Sequence, residues 1–295
     1  MWRHCLLTGL VCLGQMAHAQ IQKHFWVENS PEFKSISFNF TSSSGTCYLG
    51  PGDSEDAVSV LSSRDIDDFN HSFTHDVHGK EMDVILKLEE KNEESFSQSI
   101  SSKMFSKPRS EESIWKVFLT DGSPVALDLT YGIGQAYIDL SGLSVTSLVV
   151  QTGSADVNIG YLSGMSNQVE MESFDVKVDL GNIDVKQLYM TRARNVHADI
   201  GFGDLVLDMT EGMDMPCHVT ASVGAGSLEV LIPKAGTPVM IRIKKSLLCD
   251  VRLTKSFREL KKDVFVNMEY EPDVHDLLQF DVDVSLGNIV FKEKK

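Results

Sequence analysis

The sequence predicts an all-β fold, a β-solenoid in which short parallel strands stack as rungs along one axis, with two insertions. Three observations predict it. First, one pattern recurs seven times: a small residue, a polar residue, then two apolar positions separated by a free one. Its copies are Gly45-Thr-Cys-Tyr-Leu49, Gly134-Gln-Ala-Tyr-Ile138, Ala155-Asp-Val-Asn-Ile159, Gly181-Asn-Ile-Asp-Val185, Gly203-Asp-Leu-Val-Leu207, Gly226-Ser-Leu-Glu-Val230 and Gly287-Asn-Ile-Val-Phe291. Second, from Gly134 to Gly226 the copies are spaced 21, 26, 22 and 23 residues apart. Third, alternating runs precede nearly every copy, as in Val176-Lys-Val178-Asp-Leu180 and Val219-Thr-Ala221-Ser-Val223. Period-2 alternation buries one face of a strand. A glycine at a fixed place marks a corner or a close backbone approach. A unit of this length cannot bury its own apolar face, so neighbours must stack. Seven or eight rungs would form a rod of roughly 35 Å.

The chain begins with a segment outside the fold. Residues 1–19 carry Arg3, a short apolar run from Leu6 to Met16, and Ala17-His18-Ala19 as an A-x-A cleavage site. This reads as a secretory signal peptide that leaves Gln20 as the mature N-terminus. The apolar run is shorter than the roughly 20 residues of a spanning helix, and no later segment is long and apolar enough. The mature chain is therefore expected to be exported, without a transmembrane segment.

Residues 20–124 are expected to hold the first rung or rungs plus an insertion. Ile36-Ser-Phe38-Asn-Phe40 leads into Gly45, and 88 residues then separate Gly45 from Gly134. They contain the alternating Met82-Asp-Val84-Ile-Leu86-Lys-Leu88. A polar stretch follows, residues 89–112, read as an excursion and a candidate contact loop. Trp115–Leu119 and Val125–Leu129 lead back to the rungs. Residues 125–295 carry the main repeat and form one continuous domain with 20–124. Val239–Ile243 through Cys249–Val251 looks like a further copy lacking its glycine. The second insertion, 253–274, is charged and has room for one short helix; only Ser256–Lys262 has helical character, so very little helix is expected. The tail Lys292–Lys295 and the segment around Phe25-Trp26 are the expected end caps against edge pairing.

Composition narrows the function. The 295 residues carry 27 Lys+Arg and 42 Asp+Glu, a formal charge of −15. Phosphate binding rests on clustered basic residues, so no nucleic-acid partner is expected. Cys47, Cys217 and Cys249 remain after cleavage. An odd count is no closed disulfide framework, and the first two lie in phase with apolar neighbours, as buried small hydrophobes do.

Several clusters invite chemistry. His71, His75 and His78 lie near Asp67, Asp68 and Asp76, ligand types for zinc or copper. No helical face converges them, and the stretch reads as a solvated loop. The position after each corner is polar: Thr46, Gln135, Asp156, Asn182, Asp204, Ser227 and Asn288. These read as a hydrogen-bonded ladder rather than as a cation or glycan groove at Asp156 and Asp204. Asp139, Asp175, Asp179 and Asp208 read as outward residues of alternating strands, not as hydrolytic pairs. Met209, Met213 and Met215 read as gap fillers between rungs, not as a soft-metal site. No nucleophile elbow, zinc-protease, P-loop or dinucleotide fingerprint is present. No catalytic, cofactor-binding or metal residue is assigned, no cofactor is expected, and the protein is not expected to be an enzyme.

Residues 125–153 carry a resemblance: Val125-Ala-Leu-Asp-Leu129, Gly132-Ile-Gly134, Ile138–Leu143 and Leu148-Val-Val-Gln-Thr-Gly153. Gly201-Phe-Gly203-Asp-Leu-Val-Leu-Asp208 and Val223-Gly-Ala-Gly226 through Pro233 extend it. The chain resembles the toast-rack family of adhesin-like bacterial envelope proteins, related to the LiaF-like C-terminal domain. The resemblance runs from about residue 32 to 292. It implies a right-handed single-stranded β-helix in an exported protein without assigned enzymatic activity. The family's Gly-x-Gly doublet survives only at 132/134, 201/203 and 224/226. The functional expectation is a secreted, non-catalytic, adhesin-like binding or surface-structural module of the periplasm or cell surface. An envelope-stress signalling accessory is the alternative, and a carbohydrate-active enzyme a third reading. The expected partner is an envelope protein or glycan, with self-association through the end rungs as a further route.

Overall fold

A computed structural model describes residues 23–53, 55–63, 69–90, 113–213 and 215–293. The signal-peptide residues, Asp67 and Asp68, and nearly all of the polar stretch 89–112 lie outside the described residues. Among the described residues the structure is β throughout, with one short 3-10 turn at Leu188–Thr191 and no α-helix. The strands are β1 (His24–Glu28), β2 (Ser35–Pro51), β3 (Asp56–Ser62), β4 (Phe69–His78), β5 (Glu81–Glu90) and β6 (Ile114–Leu119). Next come β7 (Val125–Asp139), β8 (Val145–Gly160), β9 (Met171–Leu180), β10 (Ile183–Val185), β11 (Ala193–Asp208) and β12 (Cys217–Ile232). The last are β13 (Val239–Lys245), β14 (Cys249–Arg252), β15 (Arg258–Lys261), β16 (Val264–Val266) and β17 (Leu278–Glu293).

Each long strand is two arms joined at a corner, and the apolar pattern shows why. In β12, Val219, Ala221 and Val223 are buried before Gly226, and Leu228, Val230 and Ile232 after it. The buried positions switch from odd to even numbers across the glycine. Only a bend lets both arms turn their apolar faces toward one core. The same switch occurs in β7, β8, β11 and β17.

The bent strands pair in parallel. First arms and second arms each form a continuous ladder, in the order β5/β6, β2, β7, β8, β9/β10, β11, β12, β17, β13/β14. From β7 to β12 chain order and stacking order coincide. Leu140, Leu143, Tyr161, Leu188 and Met209, in the links between rungs, are fully buried and close the open side of the core. Nine levels at ~4.8 Å per step give a length of roughly 40 Å.

The corners stack in register: Gly45, Gly134 and Ala155 in one run, Gly203, Gly226 and Gly287 in another, with Gly181 between them. Gly226 has φ +147°, and a Cβ built on it would overlap the carbonyl oxygen of Gly203. A side chain is excluded there by backbone conformation and by the neighbouring rung together. The first glycine of the doublet has a related cause: a Cβ on Gly224 would collide with the Gly201 carbonyl oxygen.

The ends differ from the sequence expectation. β17 does not end the stack; it lies between β12 and the broken rung β13/β14. Lys292 is therefore inside the ladder, opposite Leu231, and its Nζ pairs with Glu229 at 2.6 Å. Lys292 and Glu293 are not an end cap, and Lys294 and Lys295 lie outside the described residues. The reason is the rung Val239–Arg252, which returns on the far side of β17. The first long strand, β2, is likewise one level in, with β5/β6 outside it. Antiparallel strands then cover these outer rungs: β4 on β5, β3 and β1 on β6, and β16 with β15 on β13. Phe25 is buried in β1 and packs on Phe73 at 5.2 Å, so the Phe25-Trp26 segment does cover that end.

Helix content among the described residues is very low, as expected, and even the one candidate segment, Ser256–Lys262, is not helical: Arg258–Lys261 is strand β15, paired with β16. Register with a neighbouring strand overrides a weak local helical preference.

Candidate binding face

Outward side chains fall into columns, because every rung repeats the same register. The column after the corner contains Thr46, which is buried, then Gln135, Asp156, Asn182, Asp204, Ser227 and Asn288. It is a capping ladder. Asp156 Oδ1 accepts from the Asn182 backbone N–H at 2.9 Å and from its Nδ2 at 2.8 Å. Asn182 Oδ1 accepts from the Asp204 N–H at 3.1 Å, and Asp204 Oδ1 from the Ser227 N–H at 3.0 Å. The corner turns a backbone N–H away from its regular partner, and the side chain of the preceding rung satisfies it. One oxygen of Asp156 and one of Asp204 are thereby occupied by structure.

Asp139 and Asp208 act in turns. Asp139 Oδ1 accepts from the Ser141 N–H at 3.0 Å and the Leu162 N–H at 3.1 Å. Asp208 Oδ1 accepts from the Thr210 N–H at 3.1 Å and its hydroxyl at 2.7 Å. Asp208 is buried, at 8% exposure, so its expected outward position is corrected. An Asx-type turn draws the carboxylate over its own link. Asp175 and Asp179 do face outward, half-buried and exposed respectively.

His71, His75 and His78 lie on strand β4 rather than on a loop. The alternation of Phe73 and Val77 on one face, packed against the core, holds β4 against β5. His78 sits on the opposite face, near Asp76 and Asp83 at 3.9 and 3.7 Å. No group of three or more His, Cys, Asp or Glu close enough to hold a metal occurs among the described residues. Met209 is fully buried and Met213 packs on the core beside it, in the link between β11 and β12. Cys47 and Cys217 are buried, and burial pushes each thiol up to about 12. Neither is a thiolate at neutral pH.

Three outward features were not singled out in the sequence. Tyr48 and Tyr137 stack with ring centroids 5.1 Å apart and planes 12° off parallel, both exposed. The signal was present: the first two copies of the corner pattern both carry Tyr three places after the glycine. Just before the corners, Leu180, Phe202, Ala225 and Leu286 form an apolar column in register, with Phe202 63% exposed. At the far end, Asp281 joins three rungs. Its Oδ2 meets His218 Nε2 at 2.6 Å, and its Oδ1 accepts from Arg242 at 3.3 Å. Burial raises the Asp281 pKa, but hydrogen bonds from His218, Arg242 and Gln279 and the guanidinium charge outweigh it. The carboxyl stays below its usual range.

The model for the N-terminal domain of toast_rack, DUF2154, matches residues 16–186, more than half of the chain. The chain belongs to the toast-rack family. No curated protein matches it in sequence. Solved structures with similarity to this toast-rack chain include a candidate cell-adhesion protein from Clostridium sporogenes. It is 15% identical, covers 92% of this chain and 99% of its own, and has a TM-score of 0.45. A candidate adhesin from Parabacteroides distasonis is 10% identical, with 93% and 98% coverage and a TM-score of 0.35. One from Parabacteroides merdae is 12% identical, with 94% and 98% coverage and a TM-score of 0.33.

Proposed function

We propose that this toast-rack protein is an exported, non-catalytic, adhesin-like module of the bacterial cell envelope, built as a right-handed single-stranded β-solenoid. Residues 1–19 are its signal peptide, and 20–124 and 125–295 one continuous domain. The observation that carries the reading is the register of the outward columns. Each solvent-facing position recurs at every level, so the molecule presents rows of side chains at fixed spacing on a stiff support. Such a surface suits repeated weak contacts with an extended or repetitive partner, whose sum exceeds any single contact. Of the four carboxylates weighed as hydrolytic pairs, Asp139 and Asp208 each use one oxygen to hold backbone N–H groups, while Asp175 and Asp179 face outward from their strand. The −15 charge is the solvated skin of the rod and keeps copies apart.

Two measurements test the reading. N-terminal sequencing of the exported chain should begin at Gln20. Labelled mature protein should bind intact cells saturably, and unlabelled protein should compete. Retention of residues 1–19 together with absence of surface binding would overturn the proposal.

A further inference from the structure

The second arms carry a feature that the corner ladder and the core do not require. A trough of about 410 Å3 crosses their outer face from β6 to β10, within the range of small-molecule sites. Tyr48 and Tyr137 form one wall, and Asp139, Asn158 and Lys186 line the rest. Its floor passes Gly50 and Gly160. Neither glycine has a positive φ, and a Cβ on either would meet the side chain of Asp139 or Lys186 at an ordinary 3.5 Å. The fold therefore does not demand glycine at these two places, unlike the corners. What their small size does is leave the trough open.

The stacked pair fixes what can lie there. Tyr137 packs one ring face on Tyr48, and its hydroxyl donates to Gln135 Oε1 at 3.0 Å. Its other face looks toward the next rung, where the register places Asn158 instead of a third aromatic ring. The Asn158 amide makes no hydrogen bond to a described residue. Only Oδ1 of Asp139 is engaged, by Ser141 and Leu162. An apolar ring face beside an unused amide and an unused carboxylate oxygen matches a pyranose sugar. One side of such a ring is a plate of C–H groups, and its rim is hydroxyl. Burying an aromatic ring beneath it while the rim hydrogen-bonds satisfies both characters. The charges choose among sugars. Lys186 lies 3.7 Å from Asp184, so the trough has no unopposed cation and disfavours uronic acids.

We propose that this trough binds a neutral or amino sugar residue of a glycan, stacked on the free face of Tyr137 and held by Asn158 and Asp139. The inference rests on the adhesin-like reading and names its ligand class.

The test uses mature protein with chitohexaose, laminarihexaose and mannohexaose at millimolar concentration, read by calorimetry and by NMR of the tyrosine rings. At least one sugar is expected to bind and shift the Tyr48 and Tyr137 ring signals. Tyr137→Ala should weaken it about tenfold or more. Asn158→Tyr should abolish binding by filling the space with a third ring. Because it extends an outward aromatic column, it should leave the melting temperature equal or higher. Phe202→Ser, on the pre-corner column, should bind like the parent. Absence of ring shifts with all three sugars overturns the proposal, as does binding unaffected by Asn158→Tyr. So does binding of a proline-rich peptide in their place. If no sugar binds yet labelled protein still binds cells saturably, the trough assignment fails and the adhesin reading stands. If neither occurs, both fail.

Discussion

The interior rungs and the end rungs meet different demands. From β7 to β12 each level has a neighbour on both sides, the links are short, and the strands are bent through a corner column that is nearly all glycine. At both ends the outermost level is broken into two strands, β5/β6 and β13/β14, and neither has a corner glycine. Antiparallel strands then cover most of it. The chain's first and last long strands are thus each one level inside, and the insertions supply the outer edges. An edge strand invites pairing with another chain. Here β15, whose four residues Arg258–Lys261 are all exposed and mostly charged, forms one outer border. The difference teaches that corner glycine goes with a positive φ and the carbonyl of the adjoining level together; Ala155 and Cys249, which lack the positive φ, stand in the same column without it.

Substitution in the corner column should break this comparison most sharply. Gly226→Val places a branched side chain into the Gly203 carbonyl at φ +147°. A loss above about 4 kcal/mol, or no folded state, is expected in urea denaturation. Cys249 occupies the same column in the broken end rung, opposite Gly287. Cys249→Val should cost within about 1 kcal/mol. Equal costs would show that the end rung is as constrained as the interior.

The buried asparagines give the next contrast. Asn167 caps the start of β8: its Oδ1 accepts from the Val145 N–H at 2.8 Å, and its Nδ2 donates to Val145 and Val169 carbonyls at 2.7 and 2.8 Å. Asn267 does the same for β13, taking the Val239 N–H at 2.9 Å and donating to the Thr237 carbonyl at 2.7 Å. Asn167→Ala strands three interior backbone groups and should cost about 2–4 kcal/mol; Asn267→Ala, at the end, about 1–3. Chemical denaturation of both variants checks the order.

Thiol reactivity samples the same difference without a change in the fold. With Ellman's reagent at neutral pH the native protein should show one reactive thiol, half-buried Cys249 of the end rung. Buried Cys47 and Cys217 should appear only on unfolding.

The smallest effect belongs to Asp281. Its pKa is depressed in the folded state, so its contribution is present above the ordinary carboxylate range and is lost as pH falls through the folded value. The carboxylate is about one-third exposed, and Asp281→Asn should cost about 0.5 kcal/mol or less at neutral pH. Parent and variant should converge at acid pH in thermal melts.

The interior was legible in the sequence because its physics repeats. Corner glycine, capping polar residue and alternating apolar pair return at each level, and the structure places Asp156, Asn182, Asp204 and Ser227 in the ladder their spacing suggests. The ends were not legible because pairing order leaves no local trace. Nothing in Val239–Arg252 says that β17 will slide between it and β12. The strand at His71–His78 was obscured because half its pattern is histidine, a residue that alternation analysis does not count as apolar. Asn167 and Asn267 look like ordinary loop residues until the strand starts they cap are in place. The tyrosine pair was readable from two matching copies, but the open space beside it depends on which rung comes next.

The order of rungs at the C-terminal end is tested most directly by disulfide trapping in a Cys249→Ser background. Ser227, Asn288 and Asp250 share one outward column, with Asn288 in the middle. Adjacent levels stand ~4.8 Å apart, inside the Cα separation that a disulfide spans, whereas two levels stand roughly 9.6 Å apart, outside it. Oxidation of Ser227→Cys with Asn288→Cys, and of Asn288→Cys with Asp250→Cys, should give intramolecular crosslinks in high yield. Ser227→Cys with Asp250→Cys should give none. Efficient crosslinking of that last pair would place the rungs in simple chain order and contradict the inserted final strand.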